Sequence, residues 1–246
     1  MKLTVLGSSS HGNCYLFESS DSVLVLEAGV PMQQVKRALH WDITKIAACI
    51  VTHRHRDHAG YVREFLKCGI RVLALDDVFN ALDIKNRVFC KSVEPQHGYV
   101  VGDWKIIALR VVHDVPCVGY IIEHREMGKT LFITDTMMLE YRIAGIRHFM
   151  LECNYADDIL QDNIDAGIEL PSKRGRLLET HMELETTKQI LRDNDTSNLD
   201  DVILVHLSDN NSDAERFERE VRAVAGVPTY IADAGRVFTL SNNLQR

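Results

Sequence analysis

The chain has 246 residues, 46% of them hydrophobic and 26% charged, with a formal net charge of −7. Such a composition suits a folded domain with room for a core and a pocket. The acidic balance excludes a broad, nonspecific nucleic-acid-coating surface, though not a local basic patch.

Residues 2–6 predict a strand, followed by the turn-rich loop Gly7-Ser8-Ser9-Ser10-His11-Gly12-Asn13. Two apolar, β-branched runs, 14–18 and 22–27, predict a hairpin. Pro31 opens a helix to about His40, since proline suits a first helical turn. Residues 46–52 form a continuous apolar run, expected of a strand buried on both faces. Segment 59–67 then has helical spacing, with Val62, Phe65 and Leu66 apolar. Further strands are expected at 71–75, 104–112, 118–123, 130–134 and 147–152, and a helix at 184–193. A buried strand at 202–206, an amphipathic helix at 213–225 and strands at 228–231 and 236–240 follow. No repeat, low-complexity tract or linker intervenes, so residues 1–246 are expected to form one α/β domain of stacked sheets covered by helices.

No apolar run approaches the ~20 residues of a membrane helix. The opening Met-Lys-Leu-Thr-Val-Leu-Gly turns polar too early for a secretion signal. A soluble, cytoplasmic protein with no membrane partner is the expectation. The six cysteines, Cys14, Cys49, Cys68, Cys90, Cys117 and Cys153, form no Cys-x-x-Cys pair. Reduced, mostly buried thiols are expected rather than zinc knuckles.

The chemistry concentrates in His53-Arg54-His55-Arg56-Asp57-His58, directly after the buried strand at 46–52. Imidazole nitrogens and carboxylate oxygens suit zinc, iron and manganese. Three histidines and an aspartate within six residues are improbable in an ordinary solvated loop. One cluster rarely completes a coordination shell. Downstream, His113, Asp135 and His206 each stand at the carboxyl end of an apolar strand run, where further ligands are expected.

This pattern resembles the metallo-β-lactamase superfamily over nearly the whole chain. The resemblance implies an αββα sandwich. It implies that His53, His55 and His113 hold one divalent metal, that Asp57, His58 and His206 hold a second, and that Asp135 bridges them. Gly7–Asn13, Glu27-Ala28-Gly29, His113-Asp114, Val118-Gly119-Tyr120, Glu152-Cys153-Asn154-Tyr155 and His206–Asn211 resemble the WalJ/YycJ family, associated with DNA exonuclease activity. Three features depart from the pattern. Glu27 stands where that family usually has aspartate. Arg54 and Arg56 occupy positions where smaller residues are common, and read equally as phosphate contacts or as solvent-facing charges held by acids. Asp135 and His206 lie too close in sequence for the large inserted domain of RNase J type enzymes.

The resulting expectation is a hydrolase using two divalent metals (zinc, manganese or iron) that share an activated hydroxide. Asp57 and His181 are the candidate catalytic residues; His181, in Glu179-Thr180-His181-Met182-Glu183, would assist the leaving group. A phosphodiesterase is favoured, with DNA more than RNA as substrate. The alternatives are a small-molecule hydrolase of the same fold, acting on a thioester, lactone or cyclic phosphodiester, and a non-catalytic binding module. His11 reads equally as loop packing or function. His40, His97, His124 and His148 read as surface or structural, and Cys153 as structural.

Overall fold

The structure, a computed structural model of the chain, describes residues 1–242. Its elements in chain order begin with strands β1 (Lys2–Gly7), β2 (Cys14–Glu18) and β3 (Val23–Leu26), helix α1 (Met32–Ala38) and strand β4 (Ile46–Ile50). Helices α2 (Arg56–Ala59) and α3 (Val62–Lys67), strand β5 (Val72–Ala74), helix α4 (Asp76–Ala81) and strands β6 (Cys90–Ser92), β7 (Gly98–Val101), β8 (Trp104–Val111) and β9 (Cys117–His124) follow. Then come β10 (Gly128–Ile133), β11 (His148–Glu152), α5 (Asp157–Asp165), α6 (Pro171–Thr180) and α7 (Leu184–Asp193). The last are β12 (Asp201–Val205), α8 (Ala214–Ala225), β13 (Thr229–Ile231) and β14 (Val237–Thr239).

The strands form two seven-stranded sheets, ordered β14-β1-β2-β3-β4-β5-β6 and β13-β12-β11-β10-β9-β8-β7. Both mix parallel and antiparallel neighbours. With the flanking helices this is the αββα sandwich expected. No helix among the described residues is long and apolar enough to cross a membrane. The chain clusters into two compact units, one of residues 1–110, 115–128 and from 233 onward, the other of 111–114 and 129–232.

In the first unit β1, β2 and β3 form an antiparallel meander, with Leu3 opposite Phe17 and Tyr15 opposite Leu26. From β3 to β6 the pairing is parallel, and β3 is buried throughout. That explains its unbroken apolar sequence, because both faces are covered. Val25, Cys49, Val51, Val62, Phe65 and Phe79 share its core. The chain beyond β4 is held from β9: Tyr120 Oη donates to the Val51 carbonyl at 2.7 Å, and the Val118 amide donates to the Thr52 carbonyl at 3.2 Å. Those bonds fix the backbone immediately before His53.

In the second unit β10 to β13 are parallel, with Phe132, Met150, Ile203 and Tyr230 in register across them. Every residue of β11 is buried. Helix α8 starts where Asp213 accepts from the Arg216 amide at 3.0 Å, and stops at Gly226, whose φ of 68° lies in the left-handed region. Both are ordinary helix boundaries, and its buried stripe is Phe217, Val221 and Ala225.

The sequence overlooks α4, α5, α6, β6 and β7, and merges α2 with α3. Helix α5 buries only Leu160 and α6 only Thr180, so neither carries the apolar stripe that marks a helix. Strand β6 has three residues, none buried.

Tyr120→Phe removes a buried donor from the Val51 carbonyl. It should lower unfolding free energy by about 1–3 kcal/mol, read from urea denaturation; an unchanged midpoint would show that the bond contributes nothing.

Candidate metal centre

Each unit carries one cluster of potential ligands. In the first, β4 leads through Val51 and Thr52 to His53, and the chain enters α2 with His55 at its N-cap. Nε2 of His53 lies 3.1 Å from Nδ1 of His55, and Thr52 Oγ1 lies 2.9 Å from Nδ1 of His53. The His53 and His58 rings are 4.3 Å apart, and Nε2 of His58 lies 3.2 Å from Asp57 Oδ2. All four residues of the motif therefore converge.

Three neighbours hold this loop. The Asn13 amide donates to the Asp57 carbonyl at 2.7 Å, and its side-chain Nδ2 lies 3.1 Å from Nε2 of His58. Glu27 is fully buried; its Oε1 lies 3.4 Å from Nδ1 of His58, and its Oε2 accepts from the Thr52 amide at 3.3 Å. Burial pushes the Glu27 carboxyl above its usual range, against the opposing pull of His58. Gly29 lies so close that a Cβ there would be 1.7 Å from the Asp57 carbonyl oxygen. Glu27 thus buttresses His58 from behind, a role sequence left open.

Arg54 and Arg56 separate in the structure. Arg54 reaches Asp77 at 3.3 Å, as a surface cation held by an acid would. Arg56 instead lines a cleft of about 330 Å³ with Ser10, His11, Gly29, Asp57 and Tyr61. His11 therefore faces the motif's cleft rather than serving only the loop.

The second unit gathers His113, Asp135 and His206 with two further residues, Glu152 and His181. Nδ1 of His113 faces the Thr180 carbonyl at 3.1 Å. A carbonyl only accepts, so Nδ1 carries a proton, while Nε2 lies 3.1 Å from the Asp114 carboxylate. Glu152 Oε1 lies 2.6 Å from Nδ1 of His181 and 3.3 Å from Nδ1 of His206. Its Oε2 accepts from the Thr136 and Met182 amides at 3.2 and 3.3 Å. Burial works to lower the His181 pKa, but Glu152, by charge and hydrogen bond, and Asp135 outweigh it and hold the imidazole above its ordinary value.

Asp135, Glu152, His181 and His206 offer ligand atoms all within 4.8 Å of one another. Two carboxylates with two imidazoles are an N/O donor set that fits a divalent metal of the zinc, manganese or iron kind. Sequence reasoning missed Glu152 as a functional residue, although it sits at a strand end as Asp135 and His206 nearly do. Cys153 beside it is buried, and burial pushes its thiol far up, so it is structural. His148 pairs with Asp201 at 2.9 Å, and His124 lies over Trp104 at 4.5 Å; both are structural as expected.

Known proteins share this architecture. The superposition on the metallo-beta-lactamase fold protein YhfI of Bacillus subtilis has a TM-score of 0.75 over 97% of this chain and 99% of that one, at 19% identity. The fold is the metallo-β-lactamase fold. The short form of human tRNase Z superposes with a TM-score of 0.64 over 98% of this chain and 100% of that chain, at 12% identity. Residues 9–69, which hold the His53–His58 motif, match the family model of the metallo-beta-lactamase superfamily. The resemblance read from that motif is borne out. Exodeoxyribonuclease WalJ of Streptococcus pneumoniae is 24% identical over 176 residues, 65% of this chain and 65% of WalJ. The match thus spans a little under two thirds of that relative's length.

Within the metallo-β-lactamase fold seen here, Gly29→Ala should force the motif loop outward, because its Cβ meets backbone rather than a yielding side chain. The variant should unfold about 1–3 kcal/mol more easily and bind less metal by elemental analysis. Wild-type stability and metal content together would refute the close approach.

Proposed function

We propose that the protein is a divalent-metal-dependent phosphodiesterase, an exonuclease acting on DNA more than on RNA. The observation that carries this reading is the Glu152–His181 pair at 2.6 Å, set among candidate ligands. The leaving group of a phosphodiester is an alkoxide, which departs poorly without a proton. A thioester releases a thiolate, which needs none. An imidazolium whose Nδ1–H is held by a buried carboxylate can give up its Nε2 proton, which answers the first demand and is superfluous for the second. The similarity to a protein described as an exodeoxyribonuclease points the same way.

On this reading His53, His55 and His113 would hold one divalent metal and Asp57, His58 and His206 a second, with Asp135 the ligand they would share. Bound divalent metals would neutralise phosphate oxygens and acidify water. The chain's own residues supply the rest. Thr180, through its carbonyl, accepts from His113 Nδ1 and orients that ring. Glu27 and Asn13 orient His58. Asp57 doubles as ligand and catalytic carboxylate. His181 would give its Nε2 proton to the leaving oxygen, with Glu152 holding the ring by Nδ1.

Purified protein, reconstituted separately with zinc, manganese and iron, should degrade end-labelled DNA from one end and hydrolyse bis(p-nitrophenyl) phosphate. Asp135→Ala should abolish most turnover while leaving the fold intact by circular dichroism. Rapid turnover of thioesters or lactones, with phosphodiesters untouched, would establish the small-molecule alternative.

His181→Ala separates a proton donor from a ligand. As a donor, His181 contributes ~10²–10⁴-fold, so kcat on DNA should fall by that order while metal content stays at the wild-type level. The loss should shrink on p-nitrophenyl esters, whose leaving group needs little protonation. Loss of metal together with turnover would instead make His181 a ligand.

A further inference from the structure

A second cleft, of about 430 Å³, opens on the outer side of α3. It is lined chiefly by Arg63, Leu66 and Lys67 of that helix and by Asp83, Lys85 and Phe89 of the segment joining α4 to β6. Arg63 and Lys67 stand four residues apart, hence on one helical face, opposite the buried Val62 and Phe65. Three cations face one carboxylate, and Asp83 is already paired with Lys85. The Arg63 guanidinium donates to the Leu82 carbonyl, a neutral partner. Among the described residues no carboxylate pairs with Arg63 or Lys67. In a chain of net charge −7, such a local excess of positive charge stands out.

The cleft also presents an aromatic face. Phe89 is 44% exposed, yet its backbone is fixed, because its carbonyl accepts from the Val72 amide at 2.8 Å. Arg87 steadies the same segment from within: Nε donates to the Ile84 carbonyl at 2.9 Å and the guanidinium lies 4.9 Å from the centre of the Phe79 ring. An exposed ring on a rigid segment, beside unpaired cations, in a volume typical of small-ligand sites, matches what a nucleotide requires. The base needs a stacking surface and the phosphate needs positive charge.

We propose that this cleft is a nucleotide-binding subsite, with Phe89 stacking on a base and Arg63 and Lys67 holding phosphate. It is separate from the His53–His58 motif, although α3 begins four residues after His58. The nucleotide is either one residue of a polynucleotide strand or a free nucleotide, which share this chemistry. The proposal deepens the nucleic-acid reading and is tested independently of it.

The test uses the full chain, stripped of metal, and a fluorescein-labelled twelve-nucleotide oligothymidylate, with anisotropy read across a salt series. Arg63→Gln/Lys67→Gln should weaken binding about tenfold or more at low salt. It should also flatten the logarithmic salt slope by about 1.4, at ~0.7 for each phosphate no longer neutralised on a single strand. Phe89→Leu, which keeps apolar bulk without the ring, should weaken binding about tenfold and leave the slope unchanged. Displacement of the probe by millimolar AMP in the wild type, absent in the double variant, would extend the site to free nucleotides; displacement only by unlabelled oligonucleotide would restrict it to strands. Variants that bind the probe as the wild type does overturn the subsite. Metal-loaded samples assayed on bis(p-nitrophenyl) phosphate separate the two claims, because that substrate is too small to need the cleft. Wild-type failure on it, with probe binding intact, sinks the phosphodiesterase reading and spares the subsite; turnover with unaltered variant binding does the reverse.

Discussion

A carboxylate buried in a protein interior costs several kcal/mol unless hydrogen bonds and opposite charge replace its water. Glu152 is fully buried at the end of β11 and meets that condition four times over. Two backbone amides, Thr136 and Met182, bind one oxygen, and the imidazoles of His181 and His206 face the other. These partners come from three stretches of chain, so Glu152 is the point at which the loop after β10, the turn after α6 and the end of β12 become mutually fixed. Removing it would take a partner from two amides and leave His181 and His206 facing Asp135 Oδ1 at 3.4 and 3.6 Å in place of their nearer carboxylate. The position of His181, and with it the chemistry proposed for the protein, depends most directly on this satisfied carboxylate.

Both units sustain backbone strain at the strand ends that shape their ligand clusters. Glu27, Asp135 and His206 have φ of 69°, 50° and 55°, in the left-handed region. Each follows a buried strand by one or two residues, where the sheet ends and the chain must turn. Side-chain-bearing residues there cost about 1–3 kcal/mol each, a cost a glycine would avoid. Glycine, however, has no ligand atom. The strain persists because flanking strands such as β3 and β12 are held on both sides by neighbours and cannot relax.

The elements legible in the sequence are those whose meaning is local. His53, His55, Asp57 and His58 lie within six residues, and an alternation that puts imidazoles on one side needs no knowledge of the rest of the fold. The apolar runs of β4, β11 and β12 announced their burial directly, and with them the strand ends that carry His206 and Glu152. Glu152 itself could not be assigned a role from sequence, because that role depends on His181, twenty-nine positions away, and on two amides that belong to loops. Asn13 was similarly silent: its partner is the Asp57 carbonyl, forty-four positions distant. The two arginines of the motif looked equivalent until Asp77, on a helix that sequence did not reveal, engaged one of them. Helix α6 was hidden because half-buried Leu177, exposed Leu178 and Gly175 give no stripe, yet it supplies the Thr180 carbonyl that faces His113 Nδ1.

On the proposed reading an acidic protein would handle a polyanion, and the difficulty is one of range. At physiological salt, charges farther than ~8 Å apart through water are largely screened, so the net charge of −7 exerts little force on a strand already in contact. What matters then is the charge within one Debye length of each phosphate. Among the residues lining the α3 cleft the balance is positive: Arg63, Lys67 and Lys85 against Asp83. On the proposed reading, a locally basic cleft on a globally acidic body would favour engagement at one place over coating along the length, the kind of binding that action at strand ends would require.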